Sequence, residues 1–192
     1  MRSARDLLNV LEKIKDFSEF EKYLANLSSD KEKGDLFELF CQVYLIVIYK
    51  KQAFKSIQLF KDIDPTTLKR LNLRLGKDYG IDIVATTDSD DLWTIQVKFR
   101  QSDQLTWTEL STFRASSEKA TFTIVMGNVS KVNHPHTALT NFSSILRNEF
   151  EALTEEDFSN IKSALRGQSI KRTVFSPRPH QSEAIEVALD HF

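Results

Sequence analysis

Apolar residues in the N-terminal part of the chain recur every three to four positions, the spacing that places side chains on one side of a helix. Leu7, Leu8, Leu11, Ile14 and Phe17 make the first stripe. Phe20, Tyr23, Leu24 and Leu27 resume it after an expected break near Asp16, so Ser3 to Leu27 reads as helical. Ser28 to Gly34 is polar and reads as a connector. A second helix, from about Asp35 to Lys50, carries Leu36, Phe37, Phe40, Val43, Tyr44, Val47 and Ile48. An apolar face that wide predicts a central helix.

The period then changes. Ser56 to Phe60 is compatible with a short strand, and Asp64-Pro65-Thr66-Thr67 reads as a helix start with proline in the first turn. Gly76 to Gly80 is rich in turn residues. Ile81–Thr86 and Trp93–Arg100 read as strands, and the polar tract Thr87–Asp91 between them has hairpin length and composition. Beyond them the pattern predicts a helix over Thr106–Lys119, a strand over Phe122–Met126, a loop over Gly127–His136, and helices over Thr137–Phe150 and Glu155–Leu165. This order points to an α/β sandwich, a central mixed sheet flanked by helices. Arg166–Pro179 has the composition of a linker, and His180–Phe192 that of a short amphipathic helix.

Composition narrows the class. The 192 residues suffice for one domain with a proper core. Basic and acidic residues balance at 26 and 27, so the net charge of -1 leaves no general basic footprint for nucleic acid. A cluster of carboxylates that takes cations would be acidic by itself, so this balance does not exclude one. The single cysteine, Cys41, allows no internal disulfide and no thiolate zinc site. Met1–Val10 is charged where a secretory leader would be apolar, and Val43–Ile48 is too short to cross a bilayer. A soluble, cytoplasmic protein with no membrane partner is the expectation.

Strand alternation suggests where chemistry could lie. In Trp93-Thr94-Ile95-Gln96-Val97-Lys98-Phe99, Ile95, Val97 and Phe99 share one face, which leaves Gln96 and Lys98 on the other. Asp82 is expected to point away from its two isoleucine neighbours, Ile81 and Ile83, and hairpin pairing would set it nearly opposite Lys98. A carboxylate and a neutral oxygen suit a hard cation such as Mg²⁺, which keeps waters and needs few protein ligands. A nearby lysine can orient a water or offset charge on a phosphate, so the parts needed for phosphodiester cleavage are present. Glu38 lies among apolar helix residues, where a carboxylate is costly unless paired. Each residue alone also fits a plainer role: Asp82 beside a turn, Gln96 and Lys98 on a solvated strand face, Glu38 on a solvent-facing helix side. His134-Pro135-His136 reads as loop, and Trp93 and Trp107 as packing residues.

Taken together, Gly34-x-x-Phe37-Glu38, Gly76-x-Asp78-x-Gly80-Ile81-Asp82 and Gln96-x-Lys98 resemble the Mrr-like branch of the PD-(D/E)XK nuclease superfamily. The resemblance covers roughly Lys33 to Met126. It implies a restriction-endonuclease-like core that cleaves double-stranded DNA with Mg²⁺, for which Mn²⁺ can substitute. By that resemblance Asp82 and Gln96 bind the metal, Lys98 is the catalytic lysine, and Glu38 is the helical glutamate of the site. Gln96 stands where the wider superfamily has an acid. Asp78 is either a further metal ligand or a residue that shapes the turn. Arg100, Lys77 and Arg74 are candidates for contacting the DNA backbone.

A second resemblance lies in Ser176-Pro177-Arg178-Pro179-His180-Gln181-Ser182-Glu183-Ala184-Ile185, which is similar to the entry motif of superfamily 2 helicases. Arg178 and Gln181 are its characteristic residues, and the glutamine of that motif reads adenine. No Gly-rich phosphate loop occurs in this sequence, so ATP is expected only through a helicase domain on the same polypeptide. The division expected is 1–33 as an N-terminal helical segment, 34–165 as nuclease, 166–179 as linker and 180–192 as the start of the helicase. Type ISP-like restriction-modification enzymes and related defence helicases have this order. Cutting both strands with one site per chain calls for a dimer or a second copy. The alternative is a catalytically inactive nuclease-like module that binds DNA or docks on the motor.

Overall fold

Each N-terminal helix begins where a short polar side chain accepts a hydrogen bond from an otherwise unpaired amide. Ser3 accepts from the Asp6 amide, Asp16 from Glu19 and Ser29 from Glu32, and these caps start α1 (Ala4–Leu11), α2 (Phe17–Ala25) and α3 (Asp30–Val47). The break expected near Asp16 is therefore a cap. The computed structural model describes residues 3–74, 76–133 and 140–168.

Helix α3 starts inside the stretch that reads as a connector. Asp30 and Glu32 complement its N-terminal dipole, and Lys33 Nζ meets Asp30 Oδ1 at 2.9 Å. Gly34 thus sits within the helix, and so does the division between residues 33 and 34.

After α3 come β1 (Phe54–Leu59), α4 (Pro65–Arg70), β2 (Ile83–Thr87), β3 (Leu92–Lys98), β4 (Gln104–Thr106), α5 (Ser111–Ser116), β5 (Phe122–Gly127), β6 (Lys131–Asn133), β7 (Phe142–Ile145), α6 (Arg147–Glu151) and α7 (Glu155–Leu165). Five strands form a mixed sheet in the order β1-β2-β3-β5-β7. The pairs β1–β2 and β2–β3 are antiparallel, while β3–β5 and β5–β7 are parallel. Strands β4 and β6 form a separate parallel ribbon.

The sheet divides two cores, as its alternation requires. Ile83, Ala85, Ile95, Val97, Ile124 and Met126 pack against the layer built from α1, α2, α3, α6 and α7. Val84, Leu92 and Val125 share the opposite core with Leu68 of α4, Phe113 of α5 and Leu105 of β4. The first core is rich in phenylalanine: Phe17, Phe20, Phe37, Phe40, Phe150 and Phe158 are all fully buried. The Phe17 and Phe150 rings stack with centroids 4.9 Å apart, and Phe20 and Phe40 lie at 4.8 Å. This cluster joins α2, α6 and α7 to α3, the helix that carries Glu38.

Three stretches depart from the expected pattern. Thr106–Lys119 is broken: Leu105 pairs beside Val132, the Glu109 carboxylate accepts from the Thr106 amide at 2.8 Å, and a 3-10 turn at Thr108–Leu110 precedes α5. The expected loop after Gly127 contains β6. In place of a helix over Thr137–Phe150, Phe142–Ile145 is a strand pairing from Thr123↔Phe142 to Met126↔Ile145. The open edge of β5 decides it, because Phe142, Ile145 and Leu146 fit either period. His134 and His136 lie outside the described residues.

Replacing Phe150 by Ala should remove about 3–5 kcal/mol of stability, the usual cost of emptying a fully buried aromatic site. Urea unfolding should show a lower midpoint with little change in slope. An unchanged midpoint would mean that α6 does not pack on this cluster in solution.

Candidate functional site

Asp82 stands just before β2 and is tied to the neighbouring strands by its backbone and its side chain. Its amide donates to the Ile95 carbonyl at 2.9 Å, and its carbonyl accepts from the Phe60 amide at 2.8 Å. Its Oδ2 accepts from the Val97 amide at 2.6 Å. The register Ile83↔Ile95 brings Asp82 level with Gln96, so the expected position opposite Lys98 is corrected by two residues along β3. The alternation argument fails here for a second reason. Ile81 lies in the core under α4 and α5, whereas Ile83 lies in the other core. The bond to Val97, and not strand alternation, aims the carboxylate.

Gln96 is 2% exposed, and its Oε1 has no hydrogen-bond partner among the described residues. Gly80 leaves room for its amide. A Cβ on Gly80 would fall 2.8 Å from Gln96 Nε2 and 3.3 Å from Phe113 Cβ, at a backbone φ of +66° that favours glycine. Asp78 supports that turn, since its Oδ1 accepts from the Gly80 amide at 2.8 Å. This bond is the turn-shaping role weighed for Asp78.

Charge is poorly compensated in this corner. Burial pushes the Asp82 carboxyl up to about 6. The Val97 bond and the Lys98 ammonium pull it down, and Asp78 pushes it further up. Glu38, half-buried on α3, is pushed up to about 7, first by burial and then by Asp82 and Asp35, against opposing pulls from Lys61 and Lys31. The structure thus brings Asp82 within electrostatic reach of both Glu38 and Lys98, with Gln96 at the level of Asp82.

Two desolvated carboxylates and an orphaned amide oxygen are hard donors, a set that fits a small divalent cation with waters completing its shell. Among the described residues no three His, Cys, Asp or Glu side chains cluster for a metal, so an ion here would rest on this mixed set.

The basic candidates are dispersed. Arg74 and Lys77 are exposed, and the Arg74 amide donates to Tyr79 Oη at 3.1 Å. Arg100 Nε lies 3.4 Å from Glu109 Oε1. Arg70, near Lys77 in sequence, reaches Asp90 at the hairpin end of β2, the end away from Asp82. Trp93 packs on Phe54 and Phe122, and Trp107 on Phe142, as expected for packing residues. Arg178 and Gln181 lie outside the described residues. Among the described residues no helix is long and apolar enough to cross a membrane. Sequence reasoning missed Asn128, a buried amide following β5, because Gly-Asn after a strand reads as an exposed turn.

Residues 48–164 match the family Mrr_cat_2, described as restriction endonuclease. The chain belongs to this family. Asp82, Gln96 and Lys98 fall within the matched range, and Glu38 precedes it. The fold is also similar to a solved chain described as "ATP-dependent Type ISP restriction-modification enzyme LlaBIII bound to DNA", with a TM-score of 0.51 and 16% identity. That similarity covers 100% of this chain and 11% of the other, so the chain spans about a ninth of that enzyme's length. No curated protein matches it. Membership in a restriction endonuclease family supports a nuclease role for the domain.

Two outcomes follow for the metal-free protein. Gly80→Ala should cost about 2 kcal/mol, from the positive φ and the displaced Gln96 amide; a variant as stable as the parent in thermal unfolding would contradict the packing described. For Glu38, a folded value near 7 against an ordinary 4.5 means that its contribution is fully present below about pH 4.5 and lost as pH rises through about 7. Glu38→Gln should therefore gain on the parent between pH 5 and 8, by roughly 2 kcal/mol. Urea midpoints in chelator at both pH values test this, and a difference that does not change with pH would refute it.

Proposed function

We propose that this domain is a Mg²⁺-dependent endonuclease that hydrolyses phosphodiester bonds of double-stranded DNA, with Mn²⁺ able to substitute. The observation that carries the reading is the buried Gln96 Oε1, without a partner among the described residues, at the level of a carboxylate whose ionisation burial disfavours. A buried polar atom without a partner is costly, and a cation would answer both deficits at once.

Asp82, Gln96 and Glu38 would hold the ion, with Asp78 an additional candidate from its turn. A bound divalent cation supplies Lewis acidity and countercharge at the scissile phosphate. The Val97 amide keeps the Asp82 carboxylate in one orientation, so its position is set before the ion arrives. Lys98 carries three N–H donors on a flexible stem. It orients the attacking water and offsets the negative charge that grows on the phosphoryl oxygens. Arg100, Lys77 and Arg74 would contact the DNA backbone on either side, which positions the duplex without reading its sequence.

The wider assignment is part of the same proposal. Residues 34–165 carry the nuclease motifs and share one core with the helices of 1–33, 166–179 is a linker and 180–192 the start of a superfamily 2 helicase that brings ATP. The parent enzyme would be a cytoplasmic restriction or defence nuclease-helicase that cuts both strands through a dimer or a second copy.

Nicking of supercoiled plasmid with Mg²⁺ or Mn²⁺ tests the reading. The native chain should nick, and Asp82→Ala and Lys98→Ala should each lower the rate by at least about 100-fold, in keeping with loss of an electrostatic stabiliser of the transition state. Asp82→Ala should also weaken Mn²⁺ binding measured by calorimetry, whereas Lys98→Ala should not. Equal nicking by the native chain and both variants would sink the assignment.

A further inference from the structure

Asn128 follows β5 and is 1% exposed, yet its side chain bonds with both its groups. Its Oδ1 accepts from the Arg100 amide at 2.6 Å. Its Nδ2 donates to the Arg100 carbonyl at 2.8 Å and to Glu21 Oε1, also at 2.8 Å. Its backbone carbonyl accepts from Arg147 Nη2 at 2.7 Å and Nε at 3.1 Å, and Arg147 Nη2 closes the ring on Glu21 Oε1 at 2.9 Å. Four elements meet in this ring: α2, the exit of β3, the end of β5 and the start of α6.

The β3–β5 ladder ends at Lys98↔Gly127. The side-chain amide of Asn128 then bonds both backbone groups of Arg100, as a further strand residue would. Gly127 lets the strands close there, since a Cβ at that position would stand 3.2 Å from the Lys98 carbonyl oxygen. The backbone that carries Lys98 is thereby fixed from both sides. The Asp82 carboxylate holds the Val97 amide just before it, and the Asn128 amide holds Arg100 just after it.

We infer that Asn128 is a positioning residue for the reaction: through the Arg100 peptide it sets the exit of β3, and with it the place of the Lys98 ammonium and the Arg100 guanidinium at the scissile phosphate. A polar ring around a buried amide contributes little net stability compared with apolar packing, but its bonds favour one arrangement of its partners. The inference rests on the nuclease reading of Lys98.

The test compares the full chain with Asn128→Ala and with Ile161→Ala, a core variant of α7 outside the ring that serves as a stability control. Three quantities are read for each: the thermal midpoint, Mn²⁺ affinity by calorimetry, and the single-turnover nicking rate at saturating metal and DNA. Asn128→Ala should bind Mn²⁺ within about threefold of the native chain, because Asp82 and Gln96 lie upstream of the released peptide. Its nicking rate should fall at least tenfold at a temperature where it is fully folded, while Ile161→Ala keeps the native rate there. Asn128→Ala nicking at the rate of the control, or losing rate only through weaker metal binding, overturns the inference and leaves the nuclease reading intact. A native chain that does not nick overturns both.

Discussion

Asp82 is bonded to β3 twice, once through its amide to Ile95 and once through its carboxylate to Val97. The arrangement of the site depends on this pair of bonds. The backbone bond fixes where β2 begins, and the side-chain bond draws a charged group into a place that water would otherwise have to reach. Gln96 and Lys98 flank Val97 in sequence, so the carboxylate is held by the amide that lies between them along β3. The turn before Asp82 is held in the same spirit. Asp78 accepts from Gly80, and Gly80 has no side chain to displace the Gln96 amide. Much of the unfavourable electrostatics of this corner is thus built in by the backbone.

That strain has to be carried by the rest of the chain. Only partly compensated carboxylates at Asp82 and Glu38 oppose folding near neutral pH. The opposing contribution is the phenylalanine cluster on the face of α3 turned to the sheet and to α6. Phe37 and Phe40 of that cluster flank Glu38 in sequence, so the helix that brings the acid also brings a large part of the burial. Local rules broken in this way are offset by consistent packing elsewhere in the fold.

Much of the fold was legible in the sequence because its signals are local. The N-terminal helices, the hairpin around Thr87–Asp91, the cap at Asp64 and the helix Glu155–Leu165 all follow from periodicity and capping residues. What was not legible depends on pairing between distant segments. Phe142–Ile145 is a strand because β5 has a free edge, and the pattern of that segment could not reveal it. The site divides in the same way. The turn glycines and the Gln-x-Lys spacing identified the neighbourhood, while register and the Val97 bond decided that Asp82 lies at the level of Gln96. The carboxylate could not have been aimed by counting, since Ile81 and Ile83 belong to opposite cores. Asn128 gave no signal at all, as its partners lie on α2, β3 and α6.

The family match begins at residue 48, after α3 has ended, yet α3 supplies Glu38 and packs on α1, α2, β1, β3 and α7. The stretch that matches the family is therefore smaller than the stretch that shares the core beneath it. A chimera joined at the edge of the recognisable region would inherit the two strands of the site and leave their supporting layer behind, with the buried faces of Ile95 and Val97 opened to water. For this domain, modular exchange has to begin ahead of α1, and the helices that look like a preface to the nuclease travel with it.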